Sequence, residues 1–178
     1  MTISKRKLLT NVSLSKSLLA AIGRVAALWA QLEYVIDSKI NSILQLPGAP
    51  KIDPKLMVPF NQRLELLDQL CKQFLTDADN RDHAGRIIAN LKQLAVQRNL
   101  IVHGSIANSK QRHKGQIVYL FRRVRWDAPT ARIVERRSFT VSGVETFAAT
   151  ISDQIPSALL IEVFFCDVKN APLGKVER

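Results

Sequence analysis

The sequence predicts a mainly α-helical protein: a four-helix bundle with a β-hairpin inserted before the last helix. Three observations predict it. Apolar residues recur at the helical period in four separate stretches. Two runs between residues 116 and 139 switch to β-branched and aromatic residues. Proline and glycine punctuate the joins. The chain has 178 residues, enough for a single domain. Hydrophobic residues make up 47% and charged residues 23%, a balance that fits a packed core and not a disordered chain.

The first helix spans about 14–45. Leu14, Leu18, Ile22, Val25, Trp29, Leu32, Ile36, Ile40 and Ile43 form its apolar row, spaced about 3.6 apart on average. Ser13 or Ser15 can cap its start. Gly23, Ala26, Ala27 and Ala30 make a small-residue patch that lets another helix approach. Pro47, Gly48 and Pro50 end the helix, and a proline-rich loop follows to Pro59.

The second helix spans about 59–76, with Phe60, Leu64, Leu67, Cys71 and Phe74 on its inner face. The next segment, TDADNRD, superficially suggests a calcium loop. Asp82 stands where such a loop needs Gly, and Ile88 where it needs a bidentate Glu, so helix capping is the reading. The third helix spans about 81–103, with Ile87, Leu91, Leu94, Ile101 and Val102 in its apolar row and Arg98 interrupting it. Gly104 is placed as its C-terminal cap. Residues 116–126 and 131–139 read as a hairpin turning at DAPT. The last helix spans about 142–168, with Val144, Phe147, Ile151, Ile155, Leu159, Val163 and Cys166 as its row and Pro156 expected to kink or divide it.

Several function classes drop out as expectations. No stretch approaches 18 uncharged apolar residues, so no membrane-spanning helix is expected and no membrane partner. The N-terminus shows no secretory signal pattern. Cys71 and Cys166 are in no C-x-x-C pair, so a structural zinc site is not expected; buried thiols in a reducing cytoplasm are. No cofactor is expected.

The charge is informative. Lys and Arg number 26 against 15 Asp and Glu, a net +11, which points to an anionic partner such as nucleic acid. Residues 110–137 hold Lys110, Arg112, Lys114, Arg122, Arg123, Arg125, Arg132, Arg136 and Arg137 against Asp127 and Glu135, or +7 of that total. Tyr119, Phe121 and Trp126 lie among them. Basic side chains contact phosphates and aromatics stack on unpaired bases, while the same aromatics could equally pack a hairpin onto the bundle. The predicted nucleic-acid contacts are Lys110, Arg112, Lys114, Arg122, Arg123, Arg125, Arg136 and Arg137. His83 and His113 read as surface residues.

The stretch that carries chemistry is QRNLIVHG, residues 97–104. Asn99 and His103 are four apart and share a helix face. Arg98 and His103 are five apart, about 140° round an ideal helix, so they meet only if the last turn loosens or the side chains reach. His moves protons near neutral pH, Arg offers a planar fork to phosphate, and Asn can orient either. RNA brings its own nucleophile, the 2′-hydroxyl, so this trio suits phosphodiester cleavage without a metal. The plainer alternative is a His capping helix carbonyls and an Arg burying its stem. Glu33 could stand behind Arg98 or simply face solvent.

Arg98-Asn99-x-x-x-His103 resembles the R-x(4–6)-H motif of the HEPN superfamily (higher eukaryotes and prokaryotes nucleotide-binding). The polar residue after the Arg and the place on the third helix of a helical bundle match as well. The resemblance covers roughly residues 14–104 and the last helix; the basic hairpin is not part of the minimal bundle. It implies a metal-independent endoribonuclease of a toxin–antitoxin or phage-defence system, with Arg98, Asn99 and His103 as catalytic residues. It also implies a homodimer whose two motifs line one cleft, RNA as substrate, and a cognate antitoxin or regulatory protein as a further partner. Other similar proteins have lost catalysis, so a dimeric module binding nucleic acid, nucleotide or protein is the competing expectation, and an antitoxin-like or sensor subunit a third.

Overall fold

The computed structural model describes residues 2–3, 14–52, 59–113, 115–127 and 130–165, with side chains described for 14–52, 59–106, 115–124 and 133–165. The protein is mainly helical. Four helices, α1 (Lys16–Leu44), α2 (Phe60–Phe74), α3 (Ala78–His103) and α4 (Val141–Val163), accompany strands β1 (Thr2–Ile3), β2 (Ser105–His113), β3 (Gln116–Asp127) and β4 (Thr130–Phe139). The chain divides into two compact units, Met1–Ala30 with Leu94–Ser152 and Gln31–Gln93 with Asp153–Arg178.

The helix ends follow capping chemistry. Ser15 Oγ accepts the Leu18 amide at 3.2 Å and starts α1. Asp77 Oδ1 accepts the Asn80 amide at 2.7 Å, so TDADNRD is a cap, and α3 begins at Ala78 rather than near Arg81. Thr140 Oγ1 accepts the Gly143 amide at 3.1 Å and starts α4. The α1 row is buried almost throughout: Leu18, Val25, Trp29, Leu32, Ile36, Ile40 and Ile43. Each such side chain contributes roughly 1.5–3 kcal/mol on burial. Among the described residues α1 is also the one helix long and apolar enough by composition to cross a membrane, which the sequence expectation did not allow for. A core helix of a soluble protein passes the same test, so length and composition are weak evidence of a span.

In the unit of residues 31–93 and 153–178, Lys39 is buried and paired with Glu162. Arg63 reaches Asp37 at 2.6 Å and Glu33 at 3.4 Å. Glu33 is therefore paired and not a bare solvent-facing residue. Cys71 is buried, as its row predicted, and burial with the nearby Asp68 charge pushes its thiol up to about 12. His83 is exposed and packs against Phe164, with ring centroids 5.4 Å apart.

Two sequence expectations need correction. Leu159 and Val163 are 45% and 58% exposed, and the buried residues are Ala158, Ile161 and Phe165. From Phe147 to Val163 the expected row advanced by four residues at each step, and each such step overshoots a turn by about 40°, so the row walks off the inner face. Pro156 also sits inside a continuous helix rather than dividing it. Cys166 and the tail lie outside the described residues.

The hairpin is larger than predicted. Residues 105–113, outside the predicted hairpin, form β2 and pair antiparallel with β3, while β3 pairs antiparallel with β4. Thr2–Ile3 adds an edge, giving the order β1-β4-β3-β2. Gly115 takes φ 77° in the β2–β3 turn, a conformation that costs a residue without Cβ little. A register shift between Arg123 and Val124 interrupts the β3–β4 ladder.

Candidate active site

Helix α3 carries all three motif residues to its C-terminal end. Arg98 and Asn99 are half-buried and His103 is exposed. An Arg98 Nη1–H donates to Asn99 Oδ1 at 2.9 Å, and Nη1 lies 2.9 Å from His103 Nε2. The helix runs regularly to His103, so the long arginine side chain spans the 140° that separates the two positions. A guanidinium can only donate, so Nε2 must accept, which places the imidazole proton on Nδ1. In this contact Nε2 of His103 faces the Arg98 cation directly.

Beneath this pair lies Trp29, a residue that periodicity marked only as core. The Arg98 guanidinium carbon sits 5.5 Å from the Trp29 ring centroid, and such cation–π contacts contribute about 0.5–2 kcal/mol. Trp29 itself is 1% exposed. Arg98 Nε is enclosed with no hydrogen-bond partner among the described residues. The planar group is therefore held by stacking on one side and by Asn99 and His103 at one nitrogen. The signal that could have found Trp29 is weak: an indole in the apolar row of the first helix, with an arginine in that of the third.

Gly104 ends α3, as the sequence predicted. Its amide donates to the Leu100 carbonyl at 3.0 Å, which closes α3. A Cβ there would stand 2.1 Å from the Leu100 oxygen and 3.3 Å from the Arg122 carbonyl oxygen. Close backbone approach, not a left-handed φ, is what requires glycine at this junction.

The chain matches no family model, no curated protein and no solved structure.

The basic residues fall into three groups. Lys110, Arg112 and Arg125 are in strands, but their side chains, and all of Lys114, lie outside the described residues. Arg123 and Arg137 are exposed, and both lean on Glu135, at 3.8 and 3.5 Å. Arg122 stands directly opposite Arg136 in the β3–β4 ladder, and Arg125 opposite Arg132. Like charges in opposed positions cost roughly 0.2–1 kcal/mol of stability. The aromatic residues divide too. Tyr119 and Phe121 are 3% and 0% exposed, and Phe121 packs edge-on to Phe139 at 5.3 Å, so these rings serve the core and offer no face to a base. Trp126 lies outside the described side chains. Among the described residues no cluster of His, Cys, Asp or Glu is fit to hold a metal ion.

Proposed function

We propose that this protein is a cytoplasmic, metal-independent endoribonuclease of the HEPN type, built on a four-helix HEPN-like bundle and acting as a homodimer. The observation that carries the reading is the 2.9 Å contact between Arg98 Nη1 and His103 Nε2 at an exposed helix end. It couples a proton acceptor to a cation suited to phosphate. A phosphodiester entering here takes the Arg98 contact for itself and frees the Nε2 lone pair. His103 then removes the 2′-hydroxyl proton, the 2′-oxygen attacks phosphorus, and the P–O5′ bond breaks. The 5′-oxygen leaves with a proton from an imidazolium, which a second copy of the chain can supply. Arg98 stabilises the extra negative charge on the phosphorane, and Asn99 holds Arg98 in place. The product is a 2′,3′-cyclic phosphate. In the cell such an enzyme serves as a toxin or defence effector held in check by an antitoxin or regulatory protein.

The test is incubation of purified protein with mixed RNA in excess chelator, wild type against His103→Ala, with DNA of the same sequence as control. Wild type alone should cut RNA, and DNA should survive. A magnesium requirement, or equal cutting of DNA, would sink the mechanism. The satisfied Arg98–His103 contact also favours a second reading, a non-catalytic binding module whose helix end is merely stabilised. That reading expects no cleavage by either protein and a lowered melting temperature for the variant.

A further inference from the structure

The rung of the sheet that adjoins His103 carries a charge arrangement that folding alone does not explain. Gly104 follows His103, and Ser105 opens β2. Ser105 is opposite Arg122, and Arg122 is opposite Arg136. With strands roughly 5 Å apart, the backbones of both arginines lie within about 10 Å of Ser105. Residues directly opposite in an antiparallel pair project from the same face, so the two guanidinium groups leave one face of the sheet beside the end of α3. Arg136 is exposed and makes no ion pair among the described residues. Arg122 is half-buried, and its Nε is enclosed without a partner among them. Arg123 and Arg137 differ, because Glu135 already accompanies both.

We propose that Arg122 and Arg136 form a subsite for an RNA phosphate flanking the one cleaved at His103. The inference rests on the ribonuclease reading above and narrows its substrate to strands carrying more than one phosphate. Two opposed cations repel, and an oxyanion between them removes the repulsion. A phosphate has enough acceptor oxygens to engage both arginine forks. Only β2 continues from α3 through Gly104, but β3 and β4 pair to it in register, and Gly104 packs closely on the Arg122 carbonyl, so the subsite's spacing from His103 is set by backbone.

The experiment compares a dinucleoside monophosphate, UpA, with pUpA and UpAp, which add one phosphate on either side. Wild type should cleave one of the two with kcat/KM about tenfold or more above UpA, as expected for a charge-assisted hydrogen-bonded contact. Arg136→Ala should bring that ratio close to one, while its melting temperature stays at or above that of wild type because a like-charge pair is gone. Arg86→Ala, which removes one exposed charge near the start of α3, should keep the ratio. A ratio near one in wild type, or one that Arg136→Ala leaves intact, overturns the proposal. A second arm measures binding of a labelled single-stranded RNA by His103→Ala protein across salt concentrations. Adding Arg136→Ala should reduce the log–log slope by about 0.7, the value per phosphate contact on a single strand. An unchanged slope overturns the subsite whether or not RNA is cut. Cleavage by wild type no better than by His103→Ala overturns the ribonuclease reading alone.

Discussion

Arg98 is the residue on which the candidate chemistry turns, and three contacts set its position: Trp29 beneath, Asn99 and His103 at Nη1. If Arg98 stabilises developing charge and His103 moves the proton, Arg98→Ala and His103→Ala each lower RNA cleavage by about 10²-fold or more. Circular dichroism should show both variants folded, since His103 is exposed and Arg98 only half-buried. Loss of stability with no loss of activity would restore the plain helix-end role. Gly104→Ala is the opposite case. Its Cβ collides with the Leu100 carbonyl, so denaturant titration should show a loss of about 2–3 kcal/mol. An unchanged midpoint would mean that the junction relaxes freely. Cys71 makes a prediction about pH. Its thiol ionises at about 12 when folded, against an ordinary value of 9.0. A raised folded pKa stabilises the protein fully below the unfolded value and loses that contribution as pH climbs toward the folded one. Between pH 9 and 12 wild type should therefore lose melting temperature faster than Cys71→Ala. Parallel curves would show that burial of this thiol has no energetic consequence.

Among the elements, α4 and the sheet show how local pattern and tertiary packing divide the work. Pro156 lies inside α4 and is exposed. Proline in a helix interior costs about 3 kcal/mol, partly offset by about 1 kcal/mol through restriction of the unfolded chain. Pro156→Ala should accordingly raise stability by about 1–2 kcal/mol in chemical denaturation, and a fall would show that the ring packs usefully. The helices were legible because apolar spacing is a local property, and α1 shows it from Leu18 to Ile43. Strand β2 was not legible. Its sequence, SIANSKQRH, has little apolar alternation, and its partner β3 supplies the backbone hydrogen bonds that make it a strand. Only Gly115, a turn residue between two unequal runs, hinted at the pairing.

For the whole molecule, the proposed function requires two copies. Cleavage needs a base and an acid, and one chain presents a single histidine at the end of α3. The exposed face of α1 carries Ala20, Gly23, Ala27 and Ala30, small residues that permit close helix approach. Light scattering at high micromolar concentration should give twice the 20.0 kDa chain mass. A monomer there would leave cleavage without its proton donor and remove the composite cleft.

The number and order of the helices, the buried thiol at Cys71, and the three polar side chains at the end of α3 were all legible in the amino-acid order. All of these follow from periodicity, capping and spacing along a single stretch of chain. Tertiary structure alone decided what those side chains meet. Arg98 rests on Trp29 from a distant helix, Glu33 finds Arg63, and strand register leaves Arg122 facing Arg136 while Glu135 accompanies Arg123 and Arg137. Nothing local encodes such pairings, because contact energies of this size depend on distance between groups that only the folded backbone brings together.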